Sequence, residues 1–133
     1  MKISTKGRYA LRMMLDIAAQ QGDGFVTLKE IAARQEISKK YLEQIALQLT
    51  QAGLLHAARG HRGGYRLAKA PGDYTVLQIL LVTEGSLAPV ACLEQTPNVC
   101  PRRAQCPTLP LWEGLERLVQ DYLSGVTLQD LMK

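Results

Sequence analysis

The stretch from Thr27 to Ala68, TLKEIAARQEISKKYLEQIALQLTQAGLLHAARGHRGGYRLA, constrains the fold more than any other part of the chain. Its pattern predicts a short helix, a tight turn, a second helix and a glycine-tipped hairpin. Thr27 is placed as an N-cap, with Glu30 three residues on to close a capping box and Val26 opposite Ile31 as a hydrophobic staple. Leu28, Ile31 and Ala32 make the buried side of the short helix. The second helix opens at Ser38 and repeats Leu42, Ile45, Ala46 and Leu49 at the spacing of one face. Lys39, Lys40, Tyr41, Glu43, Gln44, Gln48 and Gln51 are left outside. The hairpin adds Arg59, His61, Arg62 and Arg66 around Gly60, Gly63 and Gly64. The pattern is that of a winged helix-turn-helix in a mainly α chain.

Such a unit sets the N-terminal part of its second helix in a major groove, here Ser38, Lys39, Lys40 and Tyr41, with Glu43 and Gln44 one turn on. A flexible wing carrying Arg59, Arg62 and Arg66 suits a minor groove or a phosphate backbone. Helix pairs of this kind also occur in protein-protein modules, where a basic face is merely solvated. Charge separates the two readings. Residues 1–74 hold 12 Lys and Arg against 6 Asp and Glu, a net of +6, whereas residues 75–133 hold 4 against 6, a net of −2. The positive field lies on the half with the helix pair, as a nucleic-acid footprint requires, so double-stranded DNA is the expected partner.

A first helix is predicted over residues 5–21, with Tyr9, Met13 and Ile17 beside Ala10, Met14 and Ala18 on a buried face. Lys2, Lys6, Arg8 and Arg12 lie near its start, either against phosphates or simply solvated. Beyond the wing, Pro71-Gly72-Asp73 breaks the chain, and Thr75 with Gln78 is placed as a second capping box for the apolar run VLQILLV. Helical periodicity returns at Leu109, with Leu111, Leu115, Leu118, Val119 and Tyr122 on one face and Trp112 and Leu123 elsewhere. A helix apolar on more than one side calls for the same helix of a second chain, giving a homodimer; the alternative is a helix folded back on its own domain. Thr127 with Asp130 begins a terminal turn. The expected division is a DNA-binding domain over residues 1–84 (wing about 54–69), a cysteine loop over 85–108, and a dimerisation helix with its turn over 109–133.

Between Ser86 and Thr108 periodicity vanishes, and SLAPVACLEQTPNVCPRRAQCPT holds four prolines and all three cysteines. A loop of this length is functional or disordered, and its cysteines argue for function. Cys92, Cys100 and Cys106 are spaced C-x7-C-x5-C. An odd count argues against a disulfide framework, and structural zinc ordinarily takes four ligands, often with a tight C-x2-C knuckle. Three thiolates in an irregular loop suit an iron–sulfur cluster, because amides freed by turns can donate to the sulfurs. A metal-free thiol switch is the rival reading. Signal-peptide and membrane-spanning patterns are absent, so a cytoplasmic protein that does not enter membranes is expected. Catalytic constellations are absent too, and an enzyme is not expected.

The opening MKISTKGRYALRMMLDIA, the segment ISKKYLEQIALQLTQAGLL, the wing RGHRGGYRLA and the three-cysteine loop before LPLWEGL resemble the IscR family of iron–sulfur winged-helix repressors, with its NsrR and RirA relatives. The resemblance implies a homodimer joined by the C-terminal helix, each chain holding one cluster, 2Fe-2S or 4Fe-4S, through Cys92, Cys100 and Cys106. It implies DNA roles for Ser38, Tyr41, Glu43 and Arg59, and targets among genes of cluster assembly or iron homeostasis. Nitric oxide is an alternative signal within the family. Two departures stand out. The first cysteine interval is longer than in IscR and nearer to that of RirA. Leu109 stands where IscR has a ligating histidine, and Arg8 where NsrR-like proteins have an acidic ligand. The remaining iron position is then left to water, a small thiol, or an oxygen of Glu94 or Thr108.

Overall fold

Hydroxyl caps punctuate the chain. In the computed structural model, which describes residues 2–132, Ser4, Thr27, Ser38 and Thr75 each accept a hydrogen bond from the amide three residues on. They start helices α1 (Thr5–Gln20), α2 (Leu28–Gln35), α3 (Lys39–Gln51) and α4 (Val76–Glu84). Each cap satisfies an amide that the helix cannot, worth about 1 kcal/mol. At Thr27 and Thr75 the expected reciprocal half of the box does not form. The Glu30 carboxylate lies 4.0 Å from Arg34, and the Gln78 amide oxygen accepts from Lys69. Among the described residues a complete box forms at Thr127 with Asp130.

α1 is the central element. Met13, Met14 and Ile17 are fully buried, together with Ile31, Leu42, Ile45 and Leu49 from α2 and α3, and Ile79 from α4. At about 1.5–3 kcal/mol for each such side chain, this apolar face is the main source of stability. Between α2 and α3, Glu36 takes the left-handed conformation (φ +55°), closing the turn and aiming Ile37 into the core. At the far end of α1, the Ser4 amide and hydroxyl both donate to the Glu84 carboxylate, at 3.0 and 2.6 Å, which ties α1 to the end of α4.

The wing is the antiparallel pair β1 (Leu55–Ala58) and β2 (Gly64–Leu67). A third segment joins it, because Val26 and Tyr65 exchange two backbone hydrogen bonds of 2.8 Å. Gly64 makes this approach feasible. Its φ is +144°, and a Cβ there would stand 2.5 Å from the Val26 carbonyl oxygen. The base of the wing is closed by Tyr74. Its buried hydroxyl donates to the Leu54 carbonyl (2.6 Å) and accepts from the Ala68 and Lys69 amides (2.8 and 3.2 Å). Gln21, the residue capping α1, accepts from the Leu67 amide. The result is a winged helix-turn-helix.

Residues 85–108 hold one short 3-10 turn, Ala91–Leu93, among bends and turns. Helix α5 (Leu109–Ser124) follows, and none of its residues is buried. Its last turns rest on Val76 and Leu80 of α4 and on Leu87 just beyond it, with Leu123 and Val126 packed alongside. The terminal turn, α6 (Leu128–Leu131), then returns to the winged-helix unit: Leu128 is fully buried in the main core and its amide donates to the Tyr74 carbonyl. No helix among the described residues is long and apolar enough to cross a membrane.

Candidate nucleic-acid interface and cysteine loop

Burial of Leu42, Ile45, Ala46 and Leu49 fixes how α3 is rotated, and the opposite face follows from helical geometry. Ser38, Lys39, Lys40, Glu43 and Gln44 are exposed on it. Ser38 uses an oxygen lone pair to cap the helix, which leaves its O–H free to donate outward. Tyr41 differs from its neighbours. It is half-buried, packed edge to face on the Tyr9 ring of α1 with ring centroids 5.5 Å apart, and the Arg12 guanidinium lies over the Tyr9 ring at 5.3 Å from its centroid. The start of α3 is thereby braced on α1. Arg12 also donates to the Gln35 side chain and backbone carbonyl, so it is not a free phosphate ligand.

Arg59 and Arg62 are exposed near the tip of the wing, with His61 between them. Arg66 is set apart at the base: it donates to the Asp23 carbonyl at 3.2 Å and lies over the Phe25 ring at 5.7 Å. Between wing and helix runs an open groove of about 440 Å³, where Glu43, Leu47 and Thr50 of α3 face Ala57, Arg59 and Tyr65. Among the described residues both ion pairs belong to Arg34, with Asp16 and with Glu30; Glu43 pairs with neither Lys39 nor Lys40. Its carboxylate therefore stands free beside the groove.

A buried acid holds the helix pair in place. Asp16 of α1 receives Nε and Nη2 of Arg34 at 3.0 and 2.7 Å and the Gln35 amide at 3.0 Å. Burial by itself would raise this carboxyl. The hydrogen bonds from Arg34 and Gln35 and the charge of Arg34 outweigh it, leaving Asp16 below the ordinary carboxylate range. Neither Asp16 nor Tyr74 is singled out by periodicity. The available signal was an aspartate three residues past Met13, on the apolar side of an amphipathic helix.

In the loop, Cys92 lies in the 3-10 turn, and the Cys100 amide donates to the Asn98 side chain at 2.9 Å. The Cys106 sulfur lies 3.3 Å from the Thr108 hydroxyl. That hydroxyl is the first reason the Cys106 thiol lies below the ordinary thiol value, with the Thr108 and Leu109 amides adding to it. All three thiols are free and half-exposed. Three thiolates match the donor chemistry of an iron–sulfur cluster. The arrangement does not: among the described residues, no three His, Cys, Asp or Glu side chains converge on one point. In this conformation the loop carries three thiols without bringing them together as a ligand set.

The model of the Rrf2 family, described as an iron-dependent transcriptional regulator, matches residues 3–133. The chain is 41% identical to protein rrf2 of Nitratidesulfovibrio vulgaris, covering 100% of this chain and 88% of that protein. Among solved structures, CymR, the global cysteine regulator of B. subtilis, superposes with a TM-score of 0.78 at 38% identity, covering 98% of this chain and 95% of that one. IscR of T. potens does so with 0.76 at 38% identity, covering 98% and 85%.

Proposed function

From the premise that this chain belongs to the Rrf2 family of transcriptional regulators and is not an enzyme, we propose that it is a homodimeric, cytoplasmic repressor whose cysteine loop senses iron–sulfur status. Its DNA partner is a double-stranded operator. Ser38, Lys39, Lys40, Tyr41, Glu43 and Gln44 meet the major groove, and Arg59, Arg62 and Arg66 meet the minor groove or phosphates. The exposed polar face of α3, set beside a cationic wing on the positive half of the chain, carries this reading. Tyr41 acts in part through the position it gives the helix, and Arg66 through the wing base, since each is already engaged within the fold.

The division into a DNA-binding unit (1–84), a loop (85–108) and a dimerisation segment (109–133) assigns each part a task. Cys92, Cys100 and Cys106 would hold a 2Fe-2S or 4Fe-4S cluster as thiolates, with Glu94 or Thr108 near enough in sequence to offer an oxygen. A bound cluster would supply sensitivity to iron supply and oxidants. The loop leads from α4, which packs on α1 and α3, into α5, so drawing the thiols together pulls on the supports of the reading helix. Genes of cluster assembly or iron homeostasis are the proposed targets. A metal-free thiol switch is the second reading, favoured by three free, half-exposed thiols and by similarity to a protein named as a cysteine regulator.

Anaerobic purification with a visible spectrum and an iron and sulfide count distinguishes them. The cluster reading expects a coloured protein that each single change, Cys92→Ala, Cys100→Ala or Cys106→Ala, bleaches without loss of helical signal. A colourless wild type whose DNA binding responds reversibly to oxidant and reductant supports the thiol switch. Full iron retention in any single variant removes that cysteine from the ligand set.

A further inference from the structure

Leu47 stands out on the face of α3 that reads DNA in the proposal above. It is 57% exposed, the most exposed large apolar side chain among the described residues of the winged-helix unit. One turn before it lie Glu43 and Gln44, one turn beyond it Gln51, all polar and exposed, so Leu47 interrupts a polar stripe. Nor does it lie on the flank of the domain. It lines the groove between α3 and the wing, a groove that Ala57 and Tyr65 of the wing and the charged Glu43 and Arg59 also line.

The surface a duplex offers to such a side chain is almost wholly polar: phosphate and sugar oxygens, ring nitrogens, carbonyls and amino groups. On the base edges of the major groove, the one apolar group is the 5-methyl of thymine. Resting on our reading of α3 as the DNA-reading helix, we propose that Leu47 is a specificity-determining residue whose occupant is a thymine methyl. Against any other base, the leucine would cover a donor or acceptor without pairing it, which is unfavourable. Glu43 lies one turn earlier, about 6 Å along the axis. A carboxylate accepts from the cytosine amino group, so the two side chains together ask for a cytosine and a thymine one to three base pairs apart in each half-site. No other apolar contact to the bases is needed, since the remaining exposed residues of the stripe pair by hydrogen bonding.

The test replaces thymine by uracil, which differs by that methyl alone. An operator is first selected from a randomised duplex library with the full-length wild-type chain, prepared anaerobically. Each thymine is then exchanged for uracil in turn, and binding is measured for wild type and Leu47→Ala, a change at an exposed helical site that keeps helix propensity. Wild type should weaken about three- to fivefold at one thymine per half-site, the worth of one methyl group removed from water. Leu47→Ala should bind thymine and uracil alike there, at the level wild type shows for uracil. A wild type indifferent to uracil at every position overturns the assignment, as does an alanine variant that keeps the full methyl dependence. If wild type selects no operator from the library, the DNA-reading role itself falls and this inference with it.

Discussion

At Tyr74 a single phenolic oxygen serves three backbone groups, the Leu54 carbonyl and the Ala68 and Lys69 amides. Without it the Lys69 amide loses its partner within the fold, and the Leu54 carbonyl and Ala68 amide keep only the longer 3.4 Å bond between them. Tyr74→Phe should therefore destabilise the chain by about 1–3 kcal/mol in urea unfolding, although it removes one atom from a packed ring. Burial first, and the Asp73 charge after it, hold the Tyr74 hydroxyl above its ordinary value. The stability tied to its proton is thus fully present below pH about 10 and declines as pH rises further, a decline the phenylalanine variant should lack. Arg59 is a residue of the other kind, exposed and free of internal partners among the described residues. Arg59→Ala should leave unfolding unchanged while weakening DNA binding. If Arg59 reaches a phosphate, the slope of log K against log salt should fall by about one. Unchanged affinity and slope would remove the tip of the wing from the interface.

Between elements, the Asp16 clamp sets α2 against α1 and so sets the turn that launches α3. The Asp16 side chain is 2% exposed and Arg34 is 36% exposed, so half of the pair is protected from water and salt. Because the Asp16 carboxyl lies below its ordinary value in the fold, its stabilisation is present above pH about 4 and is lost as pH falls through the lower, folded-state value. Asp16→Asn should unfold about 1–2 kcal/mol more easily at pH 7, a figure reduced for the exposure of Arg34. The variant's stability should also change less between pH 5 and pH 3 than that of the wild type. Parallel acid profiles would mean that the clamp adds nothing beyond packing. The brace of Tyr41 on Tyr9 serves the same end from the other side, holding α3 where its outer face is presented.

For the molecule as a whole, the unanswered demand is α5. Leu111, Leu118 and Tyr122 are 61%, 69% and 70% exposed, although they share one helical face. A groove lined by Leu111, Leu115 and Leu118 runs along that face. Leu123 and Val126 pack back on α4, but this covers only the inner side of the last turns. A second chain on the outer face would bury what the first leaves wet, and an isologous contact needs no other partner. In the dimer proposed above, Leu118→Asp would put an unpaired charge in that seam. Sedimentation should then show monomers, circular dichroism should be unchanged, and affinity for a two-half-site operator should collapse. An intact dimer would return α5 to the role of a helix belonging to its own chain.

Local rules reach the elements of this protein and their outward faces. The hydroxyl caps, the apolar spacing of α3, the glycine-tipped wing and the unpaired face of α5 are each written within a few residues of sequence, because a cap, a turn or an amphipathic face is a short-range event. Glu30 turns to Arg34 of its own helix, whereas a contact beyond the helix redirects Gln78, which accepts from Lys69 instead of closing the box at Thr75. So too with Arg66, held by Asp23 and Phe25, and with Leu128, which follows α5 in sequence yet is buried beside Tyr74. Periodicity says that a face is buried and not what buries it. Partners 18 to 80 positions apart, such as Asp16 with Arg34 and Ser4 with Glu84, meet only once the core has closed. The same limit applies to the cysteines: their spacing shows that one loop carries three thiols, while their distance from one another is set by how that loop lies between α4 and α5.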